Sequence, residues 1–127
     1  MKAAPILLAT LSLMAGCAST PPKPNDGLAR ARLGETVYVD GPRVTPLTVL
    51  EDSRCPKGVQ CVWAGRLRIS ARIDLGSGSQ TRELTLGKPE SIADGSLELV
   101  SATPHRVAGQ PLDPKSYHFA FRFMGGL

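Results

Sequence analysis

The sequence predicts an all-β protein, a small antiparallel β-sandwich or open barrel of about six to seven short strands. Three observations point there. Gly 13 and Pro 11 are spread through 127 residues, so turn signals recur about every ten residues. A long run of period-two alternation follows residue 61. A second alternating run, rich in aromatics, closes the chain. The length suits one small domain. No long helical pattern and no internal repeat interrupts this reading.

The amino end carries an address. Met1-Lys2 precedes an apolar run over residues 3–16, about a dozen residues long, too short to span a bilayer and right for a signal-peptide core. Leu13-Met14-Ala15-Gly16-Cys17 resembles the bacterial lipobox, with Met14 where Leu is usual. Ala15 and Gly16 suit a peptidase that admits only small side chains before the cut, and Cys17 offers its thiol to diacylglycerol. The resemblance implies a lipoprotein held in the membrane through Cys17, since several acyl chains exceed the two signals that stable anchoring takes. In a cell with two membranes, Ala18 after the cysteine resembles the outer-membrane case rather than the Asp of inner-membrane retention, which implies a periplasm-facing domain. Pro21, Pro22 and Pro24 then favour extended polyproline geometry with no apolar face to bury, a disordered tether. The expected division is residues 1–16 signal peptide, 17–34 lipidated cysteine and Pro-rich tether, 35–127 a single β-domain.

Ahead of that domain, Leu28 to Arg32 reads as a brief helical turn or lead-in, stopped by Gly34. Glu35 to Val39 is a short β-branched strand closed by the turn Asp40-Gly41-Pro42. Arg43 to Leu50 is again Val/Thr-rich; Pro46 inside it removes a ladder donor, so this strand is expected at a sheet edge or to begin after Pro46. From Cys61, the odd positions Trp63, Gly65, Leu67, Ile69, Ala71, Ile73 and Leu75 alternate with Arg66, Arg68, Ser70, Arg72 and Asp74. That is a half-buried strand, because a helix would scatter these residues around its circumference. Gly76 to Ser79 forms a hairpin loop, and Gln80 to Leu86 returns with Leu84 and Leu86 inward. Turns follow at Gly87–Glu90 and Asp94-Gly95. Leu97 to Ala102 is the next strand, stopped by Pro104. Tyr117, Phe119, Phe121 and Phe123 then share one face of the last strand, opposite His118, Ala120 and Arg122.

The net charge of +4 is mild. The fifteen Lys and Arg lack the clustering and aromatic platforms of a nucleic-acid binder, so no nucleic-acid partner is expected. Besides the membrane, the expected partners are an envelope protein or an anionic glycan.

Residues 51–65 organise the rest. If Cys17 takes lipid, Cys55 and Cys61 remain in an oxidising compartment, and an even remainder with five intervening residues predicts a local disulfide. Pro56 and Gly58 fit the bend between them. Strand parity puts Cys61 and Trp63 on the face of Leu67 and Ile69, so the bridge is expected to cap the core with the indole packed beside it. Lys57, Val59, Gln60 and Arg54 then form an exposed tip, a candidate partner contact over loop 54–60.

Other chemistry competes. Cys55 and Cys61 with His105 and His118 would make a copper(I) or zinc set, yet the histidines show no ligand spacing. A redox dithiol ordinarily has two residues between its cysteines. No Gly-x-Ser-x-Gly elbow accompanies Ser53. Asp52 or Ser53 reads more simply as a loop cap, and the Arg66, Arg68, Arg72 stripe as a solvated sheet face. The expectation is therefore a non-catalytic binding or structural domain with no cofactor. Its alternatives are a metal-handling envelope protein, or an accessory or inhibitor protein docking through loop 54–60.

Glu51-Asp52-Ser53-Arg54-Cys55-Pro56 through Val59-Gln60-Cys61-Val62-Trp63-Ala64-Gly65 resembles a signature of small bacterial secreted proteins and lipoproteins of unassigned function. Asp52, Pro56, Trp63 and Gly65 carry the likeness beside the cysteines. It implies a β-rich envelope domain with a paired Cys55–Cys61 loop, and supplies no activity.

Overall fold

The structure is a computed structural model and describes residues 3–4, 16–17 and 25–126. Most of the expected signal peptide and residues 18–24 of the expected tether lie outside the described residues. The rest of residues 17–34 is described, and its Ala29–Ala31 pairs with the last strand of the sandwich, so the β-domain begins before residue 35. Among the described residues, eight strands form two four-stranded antiparallel sheets: β1 (Ala29–Ala31), β2 (Val37–Tyr38), β3 (Arg43–Asp52), β4 (Leu67–Asp74), β5 (Ser79–Thr85), β6 (Glu90–Ile92), β7 (Gly95–Thr103) and β8 (His118–Met124). The strand order is β2-β3-β4-β5 in one sheet and β1-β8-β7-β6 in the other. Neither sheet closes into a barrel, and the two make a small sandwich.

The core follows from alternation. Leu67, Ile69, Ala71 and Ile73 of β4 and Leu84 of β5 are fully buried, and they join Leu97, Leu99, Phe119 and Phe121 of the facing sheet in one cluster. Alternate side chains of β4 and of much of β7 enter a shared apolar layer, which is how two antiparallel sheets exclude water between them. In β8, Ala120 is buried as well, although parity places it opposite Phe119 and Phe121. Tyr117 stacks on Phe119 with ring centroids 5.5 Å apart. Phe123 lies half-buried at the rim.

Four local expectations change. The lead-in at Ala29–Ala31 is a strand, because pairing Ala29 with Phe121 and Ala31 with Phe119 outweighs its weak β-propensity. The turn region at Glu90–Ile92 is also a strand, paired with the start of β7. Pro46 lies within an internal strand. Its carbonyl accepts from Gly34 N at 2.7 Å on the side of β2, and β2 pairs only as far as Val44. The missing N–H therefore falls beyond the β2 ladder, where no strand partner asks for it. The fourth change concerns the strand expected from Cys61, which begins only at Leu67.

β3 departs from strict alternation twice. The register skips Leu47 between Pro46 and Thr48 and Leu50 between Val49 and Glu51, the extra residues of two bulges. Both leucines are exposed. The chain enters β1 from the Met124 end of β8 and runs toward Tyr117. The connection from β3 to β4 therefore lies at the end of the sandwich opposite the entering chain.

Candidate functional site

Residues 53–66, between β3 and β4, form the longest connection among the described strands that carries its own covalent closure. At its base the hairpin continues irregularly: Ser53 N donates to Arg66 O at 2.8 Å and Cys55 N to Ala64 O at 3.3 Å. The Ser53 hydroxyl accepts from Arg66 N at 3.0 Å. Gly65 lets the two legs approach this closely. Its φ is +69°, and a Cβ there would stand 1.8 Å from the Ser53 carbonyl oxygen, so no other residue fits without moving backbone.

Above this neck the disulfide Cys55–Cys61 closes the loop, with the Cα atoms 6.0 Å apart. Between the cysteines, Val59 N donates to Pro56 O at 3.2 Å. Gly58 has φ +78° at the third turn position, the sign a type II turn requires. Removing both sulfurs as Cys55→Ser/Cys61→Ser is expected to lower unfolding free energy by about 2 kcal/mol on the chain-entropy estimate for so short a ring. Urea titration with and without reductant measures this, and the reductant is expected to affect only the parent protein.

The loop is fixed to the other sheet through charge. Arg54 Nε and Nη2 each donate at 2.9 Å to the two oxygens of Asp52, a bidentate pair. Its Nη1 reaches Ala102 O at 2.9 Å and its Nη2 reaches Pro104 O at 3.2 Å. Tyr117 Oη donates to Asp52 Oδ2 at 2.7 Å. Arg106 Nη1 donates to Arg54 O at 2.9 Å, and Lys57 N donates to Arg106 O at 2.8 Å. One carboxylate thus ties the end of β3, its own loop, and the connection from β7 to β8 together.

The side chains of Asp52 and Arg54 are only 9% and 13% exposed. Burial alone would raise the Asp52 pKa, but the hydrogen bonds from Arg54 and Tyr117 outweigh it and hold the carboxyl below its usual value. Tyr117 is pushed up to about 12 by burial and by its bond to Asp52. Glu51, with Arg68 and Arg66 against it, is also held low. Its Oε2 accepts from Arg68 Nε at 2.7 Å and Arg66 Nε at 2.8 Å.

Two sequence expectations are corrected here. Trp63 is not packed in the core beside the bridge: it is 82% exposed, with Val62 beside it at 90%. Parity fails because the chain from Cys61 to Gly65 is not a strand; the disulfide draws Cys61 toward Cys55, and the positive φ of Gly65 breaks the pleat before β4 starts. Arg54 is not part of an exposed tip either, because the Asp52 carboxylate and two carbonyls turn it inward. Lys57, Val59 and Gln60 are exposed and Pro56 is half-buried. Tyr117 and Arg106 had no assigned role in the sequence. The aromatic stripe placed Tyr117 inward, but nothing there signalled an acceptor for its hydroxyl.

The bridge withdraws from any metal the two thiolates that a copper or zinc set needs. Among the described residues no three His, Cys, Asp or Glu converge as a metal site. His118 is exposed and held on both nitrogens, its Nε2 accepting from Arg32 Nε at 2.9 Å and its Nδ1 standing 3.1 Å from Ser116 O. His105 lines a shallow cleft of about 280 Å³ with Cys55 and Lys57. Cys17 is exposed and free. Comparison of the chain with protein families, with curated proteins and with solved structures gives no match.

Proposed function

We propose that this protein is a membrane-anchored envelope lipoprotein whose β-sandwich is a non-catalytic binding module. The observation that carries the binding role is the presentation of Val62 and Trp63 in water on a loop closed by a disulfide and fixed at its base by Asp52, Arg54 and Tyr117. Exposing a large apolar pair opposes the hydrophobic effect, and a braced loop holds that pair ready for a partner at little further ordering cost. The lipobox-like Leu13–Cys17 supports the anchor. The docking alternative keeps its place on the loop but moves from residues 54–60 toward 57–63, because Arg54 is engaged within the fold.

The anchor is tested by labelling cells with a radioactive fatty acid. The parent protein is expected to take up label and fractionate with membranes, whereas Cys17→Ser takes up none. Acylation of Cys17→Ser at the parent level overturns the lipoprotein reading.

A further inference from the structure

The loop end has a chemistry of its own. Val59 and Val107 are 44% and 43% exposed, as Val62 and Trp63 are at 90% and 82%, and Lys57 and Val107 form a bridge between the two connections that carry these residues. Residues 53–66 contain Arg54, Lys57 and Arg66 and no Asp or Glu, and the connection 104–117 adds His105, Arg106 and Lys115 against one acid, Asp113. Arg54 and Arg66 are paired with Asp52 and Glu51 of β3. Lys57 has no acidic partner among the described residues, and Arg106 donates to a backbone carbonyl. The tip is thus a few apolar side chains inside a cationic rim.

Both features fit one occupant. Tryptophan favours the polar–apolar boundary of a bilayer, where its ring is buried and its N–H stays near water. Lysine and arginine beside it meet anionic headgroups while their stems lie along the apolar zone. The apolar part is a handful of side chains, far smaller than the roughly 800 Å² per partner of a standard protein interface. We infer that the tip formed by Val59, Val62, Trp63 and Val107, with Lys57 and Arg106 at its rim, seats in the headgroup region of an anionic lipid bilayer.

The geometry allows this to be the membrane that holds the anchor. The chain enters at the far end of the sandwich, and the ten residues of β3 rise by about 33 Å. The twelve residues from Cys17 to Ala29 can reach at most about 40 Å when fully extended. That reach is enough for a domain lying along the bilayer to touch it at both ends. Only this last arrangement rests on the lipoprotein reading; the seating of the tip does not.

The test uses residues 18–127, which hold both sheets and the whole described core but lack the acylated cysteine. Failure of the anchor and failure of the tip are thereby separable. Trp63 is the sole tryptophan, so its emission reports on the tip directly. With vesicles of equal parts phosphatidylglycerol and phosphatidylcholine, emission is expected to shift to the blue and the protein to co-sediment; with phosphatidylcholine alone, both effects weaken. Lys57→Glu, at an exposed side chain without an acidic partner among the described residues, is expected to lower partitioning on the order of tenfold. Trp63→Ser, followed by sedimentation, is expected to do the same. Unchanged emission with anionic vesicles overturns the proposal, as does partitioning indifferent to Lys57→Glu. A blue shift that grows with protein concentration without vesicles overturns it in favour of a second copy. A photo-crosslinker at Val62 in cells that labels a protein or a glycan and no lipid overturns it in favour of that partner.

Discussion

Phe119→Ala is expected to lower the unfolding free energy by about 3–5 kcal/mol. Phe119 is the first of the three rings of β8, fully buried and part of the cluster that both sheets build. Truncation removes one of the two fully buried rings of that layer and leaves a cavity between sheets whose backbones are held by their ladders, so neither can close the gap. It also removes the face on which Tyr117 stacks. For a domain of about a hundred residues, each kcal/mol moves the midpoint by roughly 4–8 °C, so thermal unfolding is expected to fall by more than about 10 °C. Phe123→Ala, at the half-buried rim, provides the contrast and is expected to cost well under half as much. Equal losses at the two positions would mean that the core is not centred on β8.

The second large effect is expected at Asp52. Replacing it with Ala removes the carboxylate that receives Arg54 and Tyr117 and leaves a guanidinium largely out of water without its counter-charge. Losing one partner of such a pair costs about 3 kcal/mol or more. Changing Asp52 and Arg54 together is expected to cost less than the sum, and a double-mutant cycle reads the difference. Amide exchange locates the damage: faster exchange at Lys57 N, whose acceptor is Arg106 O, is expected in Asp52→Ala, with the centre of β4 unchanged.

The same network sets two pH limits of opposite sign. The folded pKa of Asp52 is depressed, so its contribution is present above the unfolded value of about 3.9. It is lost as pH falls through the lower folded value. Tyr117 is raised to about 12 from an ordinary value near 10, so its neutral form is the one the fold favours. Its contribution is complete below about pH 10 and is lost as pH rises toward 12. Tyr117→Phe is expected to remove the alkaline part of the profile while leaving the stacked ring in place, and the acid part persists because Arg54 still holds Asp52.

Much of the architecture was legible in the residues. Alternation at Leu67 to Ile73 and at Tyr117 to Phe123 named the buried faces of β4 and β8, because a strand's period of two commits every second side chain to one side. The paired cysteines were legible from their number and spacing. What failed, failed where local pattern has no hold. Cys61, Trp63 and Gly65 matched the parity of the following strand, yet parity is transmitted only through continuous pleated backbone, and a bridge and a positive φ interrupt it. Arg54 read as an exposed charge because a sequence does not show which carbonyls will stand opposite a long side chain.

By itself, then, the sequence determined the all-β class of fold, the alternating residues of β4 that fill its core, and the covalent closure of the loop at 55–61, since periodicity, turn chemistry and cysteine spacing are readable from the chain alone. Only the tertiary structure decided the direction of the loop. Asp52 on one sheet, Tyr117 and the Ala102 carbonyl on the other, and Arg54 between them fix its base inward, which leaves Val62 and Trp63 in water. The physical reason is that a buried charge must find its partners wherever the fold brings them, and those partners lie about fifty and more residues away along the chain.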